Sequence, residues 1–419
     1  MKERSKGLLV LIGSAVAAGV IMEVRRDRTP APAPSASTLP AASASAAPTP
    51  TYREVTLAEL DATIAKLEAR IAGPAGDDRH PWALAHGIVA FGKDFRAASG
   101  KRAVDVIATF AEQQDLEGKQ YWGFPRRKGA SLVEPHRHML AKTLLEAGVP
   151  LSETLVTSAG KTLTLNALVK DLRASTRVPQ DDTAWHDAAW TLSALAAADA
   201  AGVNARPGEV TTEQLATAAL ARLQDDDKVV SEYAGPLDRA FAPGSPLREA
   251  KAKKTGIYGH SCGGLHLVQA VLATQLAPDT EGHKRAKRQL GVLLFRYESE
   301  RLVLQELLRQ RPDQGLLLRV QRLKLYGHLV ETLVFAQRWG FIDTQSEGGK
   351  KLRQLMLRAA ADAVDVFAEL DAGGVYQRLD AIARDREQTY LDLVGDACHA
   401  IRGLRGLRDL LAPPDAATP

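Results

Sequence analysis

The chain is short of the residues from which many active sites are built. Only two cysteines, Cys262 and Cys398, occur in 419 residues. No CxxC pair can therefore exist, and a disulfide-dense scaffold is excluded. The HExxH pattern that places two zinc histidines and a glutamate on one helix is also missing. Aromatic residues make up 5%, which leaves few ring faces to stabilise a carbocation. Charge of one sign is scarce too. The 54 Lys and Arg against 50 Asp and Glu leave a net charge of +4. Because the two signs are interleaved, there is no electrostatic footprint for nucleic acid. Period-two alternation of β-branched residues is nearly absent, and Thr154 to Thr164 is the best strand candidate.

What is present is Ala and Leu in a chain 45% hydrophobic and 25% charged, a composition that favours helices because these side chains lose little entropy there. Two capping boxes, Thr56-Leu-Ala-Glu59 and Thr211-Thr-Glu-Gln214, mark helix starts. Apolar periodicity predicts further helices over 101–114, 134–147, 182–201, 261–276, 284–309, 316–339, 349–370 and 376–411. The chain divides into an N-terminal membrane anchor or signal segment over 1–28, an Ala/Pro/Ser-rich disordered linker over 29–52, an all-helical domain over 53–411 and a tail over 412–419. Lys2, Arg4 and Lys6 precede an uncharged run from Gly7 to Met22. Ala15-Val-Ala17 would serve as a cleavage site, but Glu23 to Arg28 follows closely and no lipobox cysteine is present, which favours an uncleaved anchor. A mobile tether behind an anchor places the domain at the cell envelope, periplasmic or otherwise extracytoplasmic. Arg25, Arg26 and Arg28 argue for the opposite orientation.

One recurrence runs through the helices. His86, His138, His186, His266, His328 and His399 each stand near the start of an Ala/Leu-rich helix. They are spaced by about sixty residues on average, the length of a helical hairpin with its turns. Six hairpins closing into a ring would line its centre with these histidines and Trp82. An open helical stack or two bundles are the alternatives.

With these features the chain resembles the α/α-toroid group of terpenoid cyclases, protein prenyltransferases and lanthionine cyclases. Gln180-Asp-Asp-Thr-Ala184 is similar to the Asp-x-Asp-Asp-Thr-Ala motif of class II terpene cyclases, with Asp181 in the general acid's place and Pro179 in place of the first Asp. Ala85-His-Gly87 and Cys398-His399 are similar to lanthionine-cyclase motifs, although Ala400 replaces the glycine after His399. Asp396-x-Cys398 is similar to the zinc-binding Asp-x-Cys of prenyltransferases. The resemblance implies a helical-hairpin ring over roughly residues 55–411, and no single activity.

Several groups compete as the site. Gly259-x-Ser261-x-Gly263 fits a nucleophile elbow, but Arg248 to Ile257 does not read as the buried strand that would strain Ser261 into exposure. Its plainer reading is a helix N-cap. Cys262 and His266 share a helical face, and with Cys398 and His399 they offer the N/S donor mixture that zinc accepts. Asp181 or Asp182 as a general acid needs an apolar pocket, and the competing reading is Asp182 or Thr183 as the N-cap of a helix beginning at Ala184. His328 and Glu331 share a face at i, i+3, either as an acid/base or ligand pair or as structure. Arg402, Arg405 and Arg408 read as a solvated face. Two functional expectations follow. The first is a polar, His-lined cavity that binds a ligand or protein partner at the envelope. The second is a zinc-assisted or acid-catalysed enzyme of the toroid type. A serine hydrolase and a pure scaffold stand behind them.

Overall fold

The computed structural model describes residues 53–412 apart from residue 130. The anchor, the linker and the tail after residue 412 lie outside the described residues. Within them the chain is mostly helical. The helices are α1 (Leu57–Ala75), α2 (Pro81–Phe91), α3 (Ala103–Ala108), α4 (Met139–Glu146), α5 (Leu165–Ser175), α6 (Asp182–Ala200), α7 (Thr212–Asp226) and α8 (Lys228–Ser231). They continue with α9 (Pro246–Lys253), α10 (Leu265–Ala273), α11 (Glu281–Gln310), α12 (Gly315–Arg338), α13 (Glu347–Ala372), α14 (Leu379–Asp385) and α15 (Glu387–Leu411). None of these helices is long and apolar enough to cross a membrane.

Local chemistry sets several boundaries. At α1 the Thr56 hydroxyl accepts from the Glu59 N–H at 3.2 Å, while the Thr56 N–H donates to the Glu59 carboxylate at 2.9 Å. The same reciprocal box opens α7 at Thr211 and Gln214. Such caps satisfy amide donors that the first turn leaves free. The predicted helix 101–114 stops early, because Glu112–Leu116 pairs with Lys119–Gly123 as an antiparallel hairpin. Its polar sequence carries little strand signal. Thr154–Val156 pairs with Thr162–Thr164 around a tight turn, so the one strand candidate is a hairpin. The predicted helix 376–411 is broken at Arg386, whose φ of −148° is extended.

Six helices form the inner contacts. α2 packs on α4, α4 on α6, α6 on α10, α10 on α12, α12 on α15, and α15 on α2. Outside them, α1 lies on α2 and α15, α7 on α6 and α10, α11 on α7 and α12, and α13 on α12 and α1. The contact between α12 and α15 is the most extensive. Leu323, Leu333, Leu393 and Leu404 are fully buried, each contributing about 2 kcal/mol through apolar surface removed from water. Glycine brings these two backbones together. A Cβ on Gly403 would lie 2.9 Å from the Glu331 nitrogen, and one on Gly327 would lie 3.2 Å from the Ala400 Cβ. That approach sets His328 and Glu331 directly against His399 and Arg402.

Candidate functional site

The chain enters the centre through an unusual turn. Gly256–Gly259 and Ser261–Gly264 are 3-10 turns, and Cys262, Gly263 and Gly264 all have positive φ (50°, 58° and 79°) before α10 begins at Leu265. A non-glycine residue held in this region carries backbone strain, which persists where the surroundings enforce it. Here they do. Arg296 donates to the Gly263 carbonyl and pairs with Glu300 at 2.7 Å. His260 Nε2 lies 2.6 Å from the Asp226 carboxylate. The turn delivers Cys262 to the start of α10, beside His266.

The centre is built on α10, α12 and α15. Donor atoms of Cys262, His266 and His328 all lie within 4.8 Å of one another, and so do those of His328, Glu331 and His399. His328 belongs to both groups. Its ring centroid stands 4.6 Å from that of His266 and 4.1 Å from that of His399. His399 Nδ1 is 2.9 Å from Glu331, and Arg402 pairs with the same carboxylate. His328 Nε2 faces Asp396 at 3.4 Å, and Asp396 in turn faces Lys324 at 3.8 Å. His86 joins the edge, 5.2 Å from His399 by ring centroid and 3.9 Å from Trp82. Its Nδ1 donates to the Trp82 carbonyl at 2.7 Å.

Burial decides the charge states unless an ion opposes it. His86 is pushed down to about 4 by burial. His266 and His399 are held well below the ordinary imidazole range, burial being the main cause in both. Burial also works against charge on His328, but the Cys262 sulfur, Asp396 and Glu331 outweigh it and hold His328 well above the ordinary range. Burial would likewise raise Glu331, yet Arg402 and His399 outweigh it and keep the carboxylate well below its usual range. The centre therefore offers neutral imidazoles around one position where positive charge is favoured.

Other expected site residues stand elsewhere. Cys398 precedes His399 by one residue, so it points about 100° around α15. It is buried in the core, its thiol pushed up by burial, and it joins neither donor group. Cys262 stands in a donor group without Cys398, which corrects the expectation that the two cysteines are co-ligands. His138 caps α4 with φ of 68°, and its Nδ1 lies 3.0 Å from the Thr191 hydroxyl. His186 is exposed. Neither lines the centre. Asp181 is an exposed N-cap whose carboxylate accepts from the Ala184 N–H at 2.8 Å, so it lacks the apolar pocket that general-acid work requires. No strand among the described residues feeds Ser261, and α10 starts four residues later with Gly264 at its N-cap. Neither the elbow nor the N-cap reading of Ser261 holds. Of the three arginines read as a solvated face, Arg402 turns inward to Glu331, whereas Arg405 and Arg408 stay at the surface and pair there with Glu68 and Asp61.

The sequence reading passed over Lys142, Ser193 and Gln269, which join Trp190 and His266 around a recess beside the centre. The available signal was a polar residue on an otherwise apolar helical face. Gln269 lies three residues after His266 and Ser193 three after Trp190, which places each pair on one face. Compared with known proteins, the chain matches no family model, no curated protein and no solved structure.

Proposed function

We propose that this chain is a membrane-tethered helical ring of the cell envelope whose His-lined interior binds one zinc-class ion and uses it on a small ligand. The observation that carries the reading is the pair of donor groups sharing His328. Unpaired polarity is costly to bury, so buried polar groups ordinarily find partners, and a converging set of donors can find one in a bound ion. The ring is supported by the sequential packing of α2, α4, α6, α10, α12 and α15, with α15 returning to α2. Each carries one of the six recurring histidines: His138, His186 and His266 at or near a helix start, and His86, His328 and His399 at mid-helix. The tether is supported by the apolar run and the Ala/Pro/Ser-rich segment behind it.

Cys262, His266 and His328 would hold the ion, an S/N mixture suited to zinc. A tetrahedral zinc draws its donors to roughly 3.3–3.8 Å from one another, so side-chain shifts of about 1 Å close the site. When bound, such an ion supplies a Lewis acid and a water of lowered pKa. His399 would stand beside it, oriented through Nδ1 by Glu331, which Arg402 keeps ionised. A carboxylate–imidazole pair of this kind can hold and return a proton at Nε2. Neutral His86 stands at the edge of the centre, its Nδ1 fixed by the Trp82 carbonyl.

The test is metal content of the purified full-length protein, followed by cobalt substitution. One equivalent of zinc, a cobalt spectrum with a thiolate charge-transfer band, and loss of both in Cys262→Ser and His328→Ala support the reading. A folded, helical protein without stoichiometric metal after zinc loading sinks it. The histidine-lined interior would then remain a binding cavity for a ligand or partner, with His86 and His138 as structural residues.

A further inference from the structure

Away from the centre, the outer helices α7 and α11 and the short α8 border an open groove of about 480 Å³. Small-molecule sites run from roughly 300 to 1,000 Å³. The polarity of this groove is ordered along its length. On α11, Arg285 and Arg288 line one end, and Val292 and Phe295 line the other. Arg285 and Phe295 are ten residues apart, about 15 Å along the helix axis, which matches the reach of an extended medium-length acyl chain. The facing wall runs the same way. Asp227 stands against Gln289, Val230 follows, and the Tyr233 ring lies 5.7 Å from that of Phe295. The Tyr233 hydroxyl already donates to the Pro236 carbonyl at 3.0 Å, so what it offers the groove is its ring. Tyr233, Val292 and Phe295 are left partly open to water there.

The charged groups of the lining differ in how they are matched. Arg288 pairs with Glu281 at 2.7 Å. Asp227 is buried and accepts from the Gln289 amide at 2.8 Å, one helical turn beyond Arg285. Arg285 is the exception. It is half-buried, and its Nε is buried without a hydrogen-bond partner among the described residues. Buried donors in native proteins are seldom left so. From this arrangement we infer that the groove binds a single-chain carboxylate amphiphile, its head at Arg285 and its tail along Val230, Val292 and the Tyr233–Phe295 pair. A guanidinium receives a carboxylate through two parallel hydrogen bonds, and the head supplies the acceptor that Nε lacks. One negative charge is enough, because Arg288 already has its own carboxylate. The tail covers apolar surface that water otherwise wets. The groove shares no residue with the donor groups of the centre, so the inference does not rest on the proposed ion.

The experiment measures calorimetric binding of the full-length protein to decanoate, decanamide, decyl phosphate and acetate, each below its aggregation concentration, before and after chelation of metal. Decanoate is expected to occupy one site per chain, at least tenfold more tightly than the other three and equally well with and without metal. Arg285→Met should weaken decanoate at least tenfold and leave decanamide unchanged. It should keep or raise the ligand-free melting point, because it removes a buried donor that nothing accepts from. An arginine that only braces the helices would lower that melting point and leave decanoate binding as it was. Gly291 lines the groove, and a Cβ there meets nothing within 4 Å. Gly291→Glu should therefore fold normally while setting a like charge beside the head, again weakening decanoate at least tenfold. Decanoate bound no tighter than decanamide or acetate, or unchanged in both variants, overturns the inference. Decyl phosphate bound as tightly as decanoate overturns the carboxylate assignment. Decanoate binding lost on chelation would move the ligand to the centre and overturn the groove as its site.

Discussion

Two buried polar nests meet at the Cys262-Gly263 turn, and they differ in completeness. In the outer one, Arg296 gives two hydrogen bonds to Glu300 and one to the Gly263 carbonyl, while Lys251 pairs with the remaining Glu300 oxygen at 3.3 Å. Burial opposes charge on Glu300, but Lys251 and Arg296 prevail and hold it at about 2. In the inner nest, His328 Nδ1, Asp396 Oδ2 and Arg402 Nη2 are buried without a hydrogen-bond partner. Both nests are rich in charge and nearly closed to water. The outer one is satisfied by the protein alone and so acts as a clamp on a strained turn. The inner one has donors and acceptors left over, as a site awaiting a ligand would. Perturbed charge alone does not distinguish structure from function; the two nests differ in how fully their charged groups are partnered.

The comparison can be broken most forcefully at the clamp. Glu300→Ala leaves Arg296 and Lys251 buried without their carboxylate, and is expected to cost about 3–5 kcal/mol in denaturant unfolding. If the loss is below about 1 kcal/mol, the outer nest is not a clamp. Next comes the turn itself. Gly263→Ala places a Cβ 2.2 Å from the Arg296 guanidinium at a φ of 58°. It is expected to cost about 2–3 kcal/mol and to weaken zinc binding along with it. Unchanged zinc affinity in a destabilised Gly263→Ala protein would show that the clamp does not position Cys262.

The two cysteines sharpen the same contrast at smaller cost. Cys398→Ala should lose about 1 kcal/mol, the price of a small core cavity, and keep full zinc stoichiometry; metal loss would return Cys398 to the ligand set. The last contrast concerns pH. Burial, reinforced by Arg137, pushes His138 down to about 3. A depressed imidazole contributes stability that is complete above its ordinary value near 6.5 and is lost as pH falls toward 3. His138→Asn suits the left-handed backbone there and should flatten the stability profile between pH 6.5 and 4. An equally steep profile in the variant would assign the acid sensitivity to other groups.

Much of the architecture could be read in advance. Thr56 and Thr211 declared their helices because a capping box is a local, short-range interaction. The histidine recurrence was legible only in part: each of the six falls on a helix or at its cap, but His86, His328 and His399 stand at mid-helix and not at the expected starts. Where prediction failed, distant partners decided. Glu112–Leu116 left its helix to pair with a polar strand. Arg402, legible only as one of three surface arginines, is buried because Glu331 and Glu146 meet it from other helices. Cys398 looked equivalent to Cys262 until side-chain direction was known.

By itself, then, the amino-acid sequence determined the helical class, the segment starts and which residues have metal-binding chemistry, because propensity, capping and periodicity act over a few neighbouring residues. Which of those residues converge was decided only by tertiary structure. The gathering of Cys262, His266, His328, Glu331 and His399 depends on two glycines that let α12 and α15 touch and on an arginine that holds a strained turn. Those contacts join parts of the chain that lie 33 to 73 residues apart in sequence, a distance over which no local pattern carries information.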